Sequence, residues 1–537
     1  MNASMFTEST PVRTAWFIGT GFIAALVVSS AAVAAQTDTD TAPWVVDGSQ
    51  YLPDPAYNGG RYTVDAFAGS ESLNYRAKKL VVLDNGDIVA ASIVPPFTGG
   101  SNAINLGLVR YNASGQRVAW SNPTPDYAFF GGQYIVYPNS NDADVNDSVT
   151  DVKDMKLIGN RIFVLIDHPF AGTADMDSRV VVFDTDGRLL STNPILSSTA
   201  AEYAGGIVVY SNFQFPETIG LAFAGTTVVN DGTARPTYRR FTVNDDGTLA
   251  PMTDPVYVTA GDLCDSLHDC ELHGIAAGGI AGSAPTRFYL AGTRQYQGDD
   301  WDYLIYAVLP SGNGATSFWT DGARGYAFDV GGSDRDSATA ISVVRGFASG
   351  DEIYLSGEVA QDCQPGVGVV KLDSSGNVVS AFGEVVVGGS NNDNPATCGI
   401  QSQLGDARAD YPIASAYADS RLAIAGFNVY GPGVLCIVGE PCPEGNVDGE
   451  LIVLDTDSGA VESFRGYAYS DTVGGPRTRH SGLWGVVPSG AGTFTAAGDV
   501  RFFQSAPGAP AGSMQVTTIR LGAGGGDLIF ADGFGGD

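Results

Sequence analysis

Basic residues are scarce in this 537-residue chain, which has 28 Lys and Arg against 59 Asp and Glu and a formal net charge of −31. Nucleic-acid binding needs clustered Lys and Arg to contact phosphates, so the composition argues against it. Adhesion to an anionic membrane surface is disfavoured for the same reason. The acidic balance is typical of a soluble exported protein, and the sharper alternative is cation binding by clustered carboxylates.

Long apolar runs are missing after the first 35 residues, so no later segment is expected to span a bilayer. Residues 1–35 resemble a secretory signal, with Arg13, an apolar run over 15–28 and the small residues 32–34 for cleavage. An uncleaved anchor is the alternative. We therefore expect Sec-dependent export to the medium or the cell surface, with the periplasm as the alternative, and a linker over residues 36–50.

Cysteine is also rare, with six residues that are an even number in an exported chain, so disulfides are expected. Their positions suggest local pairs: Cys264 with Cys270, Cys363 with Cys398, and Cys436 with Cys442. Zinc ligation is disfavoured, because there is no CxxC spacing and His268 and His273 form only a loose group near Cys270.

No stretch keeps a helical period over several turns, and the chain consists of strands and glycine-rich turns. The repeating unit is clearest in Asp351–Gly383, with strands predicted at EIYLSGEV, VGVVKL and VVSAF. The last two strands are separated by the polar turn Asp373–Gly376, and a further hairpin turn is predicted at Asp84–Gly86 in the first unit.

Glycines that end one strand of each unit show the period. Gly225, Gly292, Gly357, Gly426 and Gly498 are 67, 65, 69 and 72 residues apart, and Ser92 and Ile166 hold the same place in the first two units. Small residues there suit close packing where blades crowd near an axis. The strands are apolar on both faces, as expected for sheets that pack between neighbours.

The prediction is an all-β fold, a single seven-bladed β-propeller over residues 51–525. RYTVDAF at 61–67 resembles the outer-strand sequence RGYAFDV at 324–330, but it has no blade of its own to complete. We therefore expect it to pair with Met514–Leu521 and close the ring with strands from both chain ends. Six blades plus an irregular segment, or two separate β-domains, are the alternatives.

Two stretches carry a family resemblance: residues 303–357, with LIYAVLPSGNGATSFW followed by RGYAFDVGGSDRDSATAI and EIYLSG, and the hairpin LVVLDNGDIVAAS at 80–92. They resemble the delta-60 repeat family of bacterial secreted propeller-like proteins, over roughly residues 50–525. The resemblance implies an exported propeller-like scaffold, and it supplies no catalytic residue. The tail 526–537 contains DLIFADGFGGD, which resembles an IFxDGFE-type ending with Gly535 in place of Glu. A sorting role and a frayed end are both open for this tail.

Catalytic signatures are absent from the sequence: there is no Gly-x-Ser-x-Gly elbow, HExxH helix or P-loop. His268 and His480 precede first strands of units and are candidates for a channel role, with a satisfied loop histidine as the alternative. Acidic loops are the better candidates for a ligand site, because alternating oxygen-bearing side chains suit Ca²⁺. The candidate calcium ligands are Asp142, Asp144, Asn146, Asp147 and Asp151, and a weaker group is Asp299, Asp300 and Asp302.

These features favour a non-catalytic exported scaffold, expected to be a monomer, that binds a protein, a glycan or a surface component through its loop-bearing faces. A propeller enzyme with a site in the central channel (a lyase, hydrolase or quinoprotein-like oxidoreductase) is one alternative, and a structural cell-surface component is another. A channel lined only by small apolar residues would count against the enzyme. No cofactor is expected other than Ca²⁺.

Overall fold

A computed structural model of the chain describes most of the repeat region and none of the first 50 residues. The described residues are 51–60, 63–65, 76–94, 104–138, 148–169, 176–196, 200–212, 215–229, 232–258, 264, 269–295, 301–319, 322–326, 336–346, 350–361, 364–387, 408–430, 446–467, 479–490, 492–502 and 514–523. Within them the only helix is the 3-10 turn Pro125–Tyr127, and no helix is long and apolar enough to cross a membrane.

Thirty-one strands follow one another along the described chain. The first eleven are β1 (Tyr51–Pro53), β2 (Thr63–Asp65), β3 (Arg76–Val82), β4 (Ile88–Val94), β5 (Asn105–Tyr111), β6 (Ala128–Phe129), β7 (Tyr134–Tyr137), β8 (Asp151–Ile158), β9 (Arg161–Pro169), β10 (Met176–Asp184) and β11 (Leu189–Leu196). The next nine are β12 (Glu202–Asn212), β13 (Phe215–Val228), β14 (Ala234–Val243), β15 (Leu249–Pro251), β16 (Val256–Tyr257), β17 (Cys270–Gly278), β18 (Arg287–Gln295), β19 (Trp301–Val308) and β20 (Ala323–Tyr326). The last eleven are β21 (Ser337–Val344), β22 (Glu352–Gln361), β23 (Gln364–Leu372), β24 (Glu384–Val387), β25 (Arg408–Ala418), β26 (Arg421–Tyr430), β27 (Asn446–Asp455), β28 (Val461–Tyr467), β29 (Arg479–Gly490), β30 (Thr493–Phe502) and β31 (Met514–Ala523).

These strands form seven antiparallel sheets, which we call blades 1 to 7. Blades 1 to 6 contain β3–β7, β8–β11, β12–β16, β17–β20, β21–β24 and β25–β28, and blade 7 contains β29–β31. The first strand of each blade contacts the first strand of the next, through β3, β8, β12, β17, β21, β25 and β29 and back to β3. The first strands therefore surround a common axis. The predicted seven-bladed propeller is confirmed, and the alternatives of six blades or two separate β-domains are wrong.

Blade 7 is completed by the start of the chain. β2 pairs with β31 with Thr63 opposite Thr518, which confirms the predicted closure. β1 also pairs with β31, with Tyr51 opposite Ala523, a second contact that the sequence did not indicate. Both chain ends are therefore held in one sheet.

The core lies between blades. Seven clusters of buried apolar side chains each join one pair of neighbouring blades, including the pair formed by blades 7 and 1. Because each sheet has buried residues on both faces, no blade would be covered alone, which is the physical reason for a closed ring.

Polar turns lie where the sequence predicts them, with one correction to the strand that follows. Gly86 and Gly376 have φ of 82° and 84°, a backbone region that glycine enters at little cost. VVSAF after the second turn does not form the predicted third strand: only Val378 makes a bridge, and the outer strand of blade 5 is Glu384–Val387. A Cβ at Gly376 would lie 2.9 Å from the Phe318 ring of blade 4, so this turn packs tightly on its neighbour.

Candidate functional site in the central channel

Each blade inserts one extra residue in its first strand at the same register. The pairing between first and second strands shifts there in all seven blades. Such bulges change where a side chain points and are common beside functional sites. We call the seven inserted residues the bulge ring: Lys78, Lys153, Gly205, His273, Thr339, Ile413 and Trp484.

The periodic glycines lie opposite these bulges. Gly292, for example, pairs with Leu272, the residue before the inserted His273. A Cβ would lie 1.8 Å from the Glu271 carbonyl oxygen at Gly292, and 2.0 Å from that of Ser337 at Gly357. The crowding that requires glycine therefore comes from the first strand of the same blade. The sequence instead suggested neighbouring blades that crowd near the axis as its cause. Ser92 and Ile166 occupy the equivalent places, as predicted.

The position after the bulge separates blades 1 and 2 from the rest. In blades 3 to 7 it is occupied by small residues, which are Gly206, Gly274, Ala340, Ala414 and Gly485. In blades 1 and 2 it is occupied by Lys79 and Asp154. All seven first strands line one open cavity, which holds about 610 Å³ of unfilled space including the solvent at its mouth. The channel is therefore wide on one side and carries charged side chains on the other.

Lysine is concentrated at this charged side. The chain contains five lysines, and four of them are on β3 and β8: Lys78, Lys79, Lys153 and Lys156. Only Lys371, in β23, lies elsewhere. In a chain with a net charge of −31, this places almost all of its ammonium groups at the axis.

Carboxylates neutralise three of these four lysines. Lys153 Nζ lies 3.0 Å from Asp151 and 3.6 Å from Asp167, and Lys78 Nζ lies 3.6 Å from Asp151. Lys156 Nζ lies 2.8 Å from Asp154. Burial alone would raise the pKa of Asp151, but the ammonium groups of Lys78 and Lys153 outweigh it and hold that pKa at about 2.

Lys79 differs from the other three. No carboxylate among the described residues lies within ion-pairing distance of its Nζ. Burial lowers the pKa of the Lys79 ammonium, against a weaker opposite effect of Asp154. The Asp154 carboxylate is already bound by Lys156 and by the backbone N–H groups of Met155 and Ile207, at 2.8 and 3.0 Å. Lys79 is thus a cation whose nearest acidic neighbour is directed elsewhere.

Asp167 joins the channel wall of blade 2 to blade 3. Its Oδ1 accepts hydrogen bonds from the Ala204 N–H at 2.9 Å and the Ser178 hydroxyl at 3.0 Å, and the residue is 1% exposed. Burial raises its pKa to about 6, although Lys153 and these hydrogen bonds act in the opposite direction. The folded protein therefore keeps a proton on Asp167 at a pH where the unfolded chain has lost it.

This leads to a pH-dependent stability. Because the folded pKa is raised, the contribution of Asp167 is most favourable below about pH 4 and declines as the pH rises to about 6. Asp167→Asn keeps the acceptor oxygen, so it is expected to gain about 3 kcal/mol over the wild type across that range and then level off. Urea unfolding at pH 4, 5, 6 and 7 measures this, with exposed Asp457→Asn as the control. A wild type that gains stability relative to Asp167→Asn as the pH rises would contradict it.

The predicted calcium ligands are only partly described. Asp151 begins β8 and is paired with two lysines, while Asp142, Asp144, Asn146 and Asp147 lie outside the described residues, so the calcium hypothesis stays a prediction. Asp299 and Asp300 also lie outside them, and Asp302 is in β19. In the described part of the chain, no group of three or more His, Cys, Asp or Glu side chains is arranged to hold a metal.

One predicted disulfide is present. Cys264 and Cys270 are bonded, with their Cα atoms 5.8 Å apart. Cys363, Cys398, Cys436 and Cys442 fall outside the described residues, as does His268. The prediction that His480 precedes a first strand is wrong, because it lies inside β29. His273 is the histidine on the bulge ring, and its Nε2 lies 4.0 Å from Glu271 Oε2. The channel lysines were missed from sequence, although their confinement to Lys78-Lys79 and Lys153-x-x-Lys156 was a visible signal.

Comparison with known proteins gives similarity at the level of whole structures only. No protein-family model and no curated protein matches the chain. The chain is similar to the phage phi92 endosialidase at 11% identity over 89% of this chain and 71% of that one, with a TM-score of 0.39. It is also similar to Chaetomium thermophilum Sqt1 bound to the N-terminus of ribosomal protein L10, at 12% identity over 85% and 98% and a TM-score of 0.39. A Bombyx mori GH32 beta-fructofuranosidase gives 10% identity over 87% and 94%, with a TM-score of 0.29.

Proposed function

We propose that this chain is an exported, non-catalytic propeller scaffold of the delta-60 repeat type that binds its ligand in the central channel. The observation that carries the proposal is the composition of the channel wall, where three of the five lysines line a cavity that five blades leave open with glycine or alanine. Concave sites with a few placed polar groups are the usual form of ligand pockets. The sequence favoured the loop-bearing faces for binding, and the channel adds a site built from rigid strands.

The test compares ligand binding by an open and a blocked channel. Ala340 lines the cavity, and Ala340→Phe would fill the space that the small residues leave. Ala460 lies exposed on a turn of blade 6, so Ala460→Phe makes the same chemical change outside the channel. Glycan arrays and peptide libraries probed with the exported protein are expected to give ligands that Ala340→Phe loses and Ala460→Phe keeps. Ligands retained by both variants would place binding on the outer faces instead.

A propeller enzyme remains the second candidate, because the channel is not lined only by small apolar residues. Lys79, Asp154 and His273 all line the same cavity. Incubating each captured ligand with the protein and measuring the ligand's mass by mass spectrometry distinguishes the scaffold from the enzyme. The scaffold returns its ligand unchanged, whereas turnover that Ala340→Phe abolishes identifies an enzyme.

Export and the role of the tail are further parts of this proposal. The apolar start supports cleavage near residues 34–35, so the exported protein should begin close to Gln36 when sequenced. Deleting residues 526–537 tests whether the tail retains the protein at the cell surface. If the truncated protein is released to the medium, the tail is needed for retention. If it stays with the cells, the tail is not needed.

A further inference from the structure

Placing the Lys79 ammonium group in the channel has a free-energy cost. A partly buried ammonium group loses hydration, and the loss is recovered only if an opposite charge or hydrogen-bond acceptor replaces the water. Five other blades have Gly or Ala at this position, so the fold itself does not need a long side chain here. The lost hydration of the Lys79 ammonium group therefore destabilises the folded protein, and packing does not explain why a lysine is at this position.

The carboxylates around Lys79 are paired with other cations. Asp151 and Asp167 face Lys78 and Lys153, and Asp154 faces Lys156. Glu271 lies 4.0 Å from His273 on the bulge ring. After these pairings, Lys79 is the described ammonium group of the channel that no carboxylate approaches within ion-pairing distance. One negative charge would complete the wall.

Branched aliphatic side chains also line the cavity, beside the polar Thr339 and Ser415. Ile341, Ile413 and Val487, from blades 5, 6 and 7, line the same cavity and are each partly exposed to it. Methyl groups left facing water in a concave site gain free energy when a ligand covers them, roughly 25 cal/mol per Å² of apolar surface. A ligand held by Lys79 would thus also contact branched aliphatic side chains of the same cavity.

We infer that the channel takes an amphipathic organic anion, a molecule with one carboxylate or similar head group on an apolar body, whose head group is held by Lys79. This inference rests on the proposed channel binding and adds the chemical class of the ligand. Because a lysine ammonium is a point charge with no fixed geometry, it selects for charge rather than for head-group shape.

Octanoate and octanamide form a matched pair of probes, since they share the chain and differ in charge. By titration calorimetry the wild type is expected to bind octanoate at least about tenfold more tightly than octanamide, as one charge-assisted contact contributes. Lys79→Gln should reduce that preference to about onefold, and Lys79→Arg should keep most of it. Arg188→Gln removes the same charge from an exposed turn and should change nothing. Urea unfolding of every variant confirms that it is folded.

The outcomes separate this inference from the proposed function. If octanamide binds as tightly as octanoate and Ala340→Phe abolishes both, the channel binds ligands but not by charge, and the inference fails alone. A preference for octanoate that survives in Lys79→Gln assigns the anion to another site and also overturns it. If neither probe binds the wild type, the inference fails, while the array experiment still decides whether the channel binds anything.

Discussion

Deleting residues 51–65 is expected to destabilise the protein by at least about 5 kcal/mol, an amount comparable with the whole stability of many domains. The deletion removes β1 and β2 and the side chains of Tyr51 and Tyr57, which are 0% and 1% exposed. Each buried aromatic side chain contributes about 1.5–3 kcal/mol. It also removes the hydroxyl contacts from Tyr57 and Thr63 to Thr518 Oγ1, both 2.6 Å long. The exposed edge of β31 would then face solvent.

Urea unfolding followed by tryptophan fluorescence measures the loss, and deletion of residues 36–50 is the length-matched control. Point variants sharpen the test. Tyr51→Ala should cost about 3–5 kcal/mol, because its ring packs 5.9 Å from Phe494 in the cluster between blades 6 and 7. Tyr51→Phe should be neutral, since the Tyr51 hydroxyl is buried without a hydrogen-bond partner among the described residues. A truncated protein that unfolds at the same urea concentration as the intact one would show that β1 and β2 do not hold the ring closed.

Gly357→Ala is expected to cost about 3 kcal/mol or more, the second large effect. The new methyl group would lie 2.0 Å from the Ser337 carbonyl oxygen, a backbone atom that moves only if the bulge moves. The neighbouring change Ser356→Ala is the control, because the Ser356 hydroxyl is buried without a hydrogen-bond partner in the described part of the chain and its removal should be neutral. Thermal unfolding of both variants provides the comparison. Equal melting temperatures would mean that the bulge adjusts freely and that the periodic glycines have another cause.

The blade count was predictable because one backbone clash recurs in most repeats. In blades 4, 5 and 7 the bulge brings the carbonyl oxygens of Glu271, Ser337 and Gly482 so close to the second strand that only glycine fits beside them. Ring closure was predictable from the strand around Thr63, which matches a known outer strand and lacks a blade. β1 was missed because three residues that include a proline give almost no strand signal.

The site was less accessible from sequence than the fold. The first strands have apolar or small residues at many positions on both faces. The alternation of side chains along a strand therefore does not show which residues face the axis. Each bulge also inverts the alternation of side chains. Placing Lys79 and Asp154 at one level required the pairings with Ala91 and Leu165, which depend on the register of each strand. His268 and His480 were favoured for this reason as residues before first strands, although His480 lies inside β29, and His273 on the bulge ring was not.

The distribution of lysine gives the protein an unusual chemical surface. All five lysines lie within strands, and four of these are at the axis, so the outside of the ring offers carboxylates and guanidinium groups but almost no primary amines. Reagents that acylate amines would therefore reach side-chain targets mainly through the mouth of the channel. Conventional coupling to a resin or a dye would occupy that opening, and immobilisation through carboxylates would leave it clear.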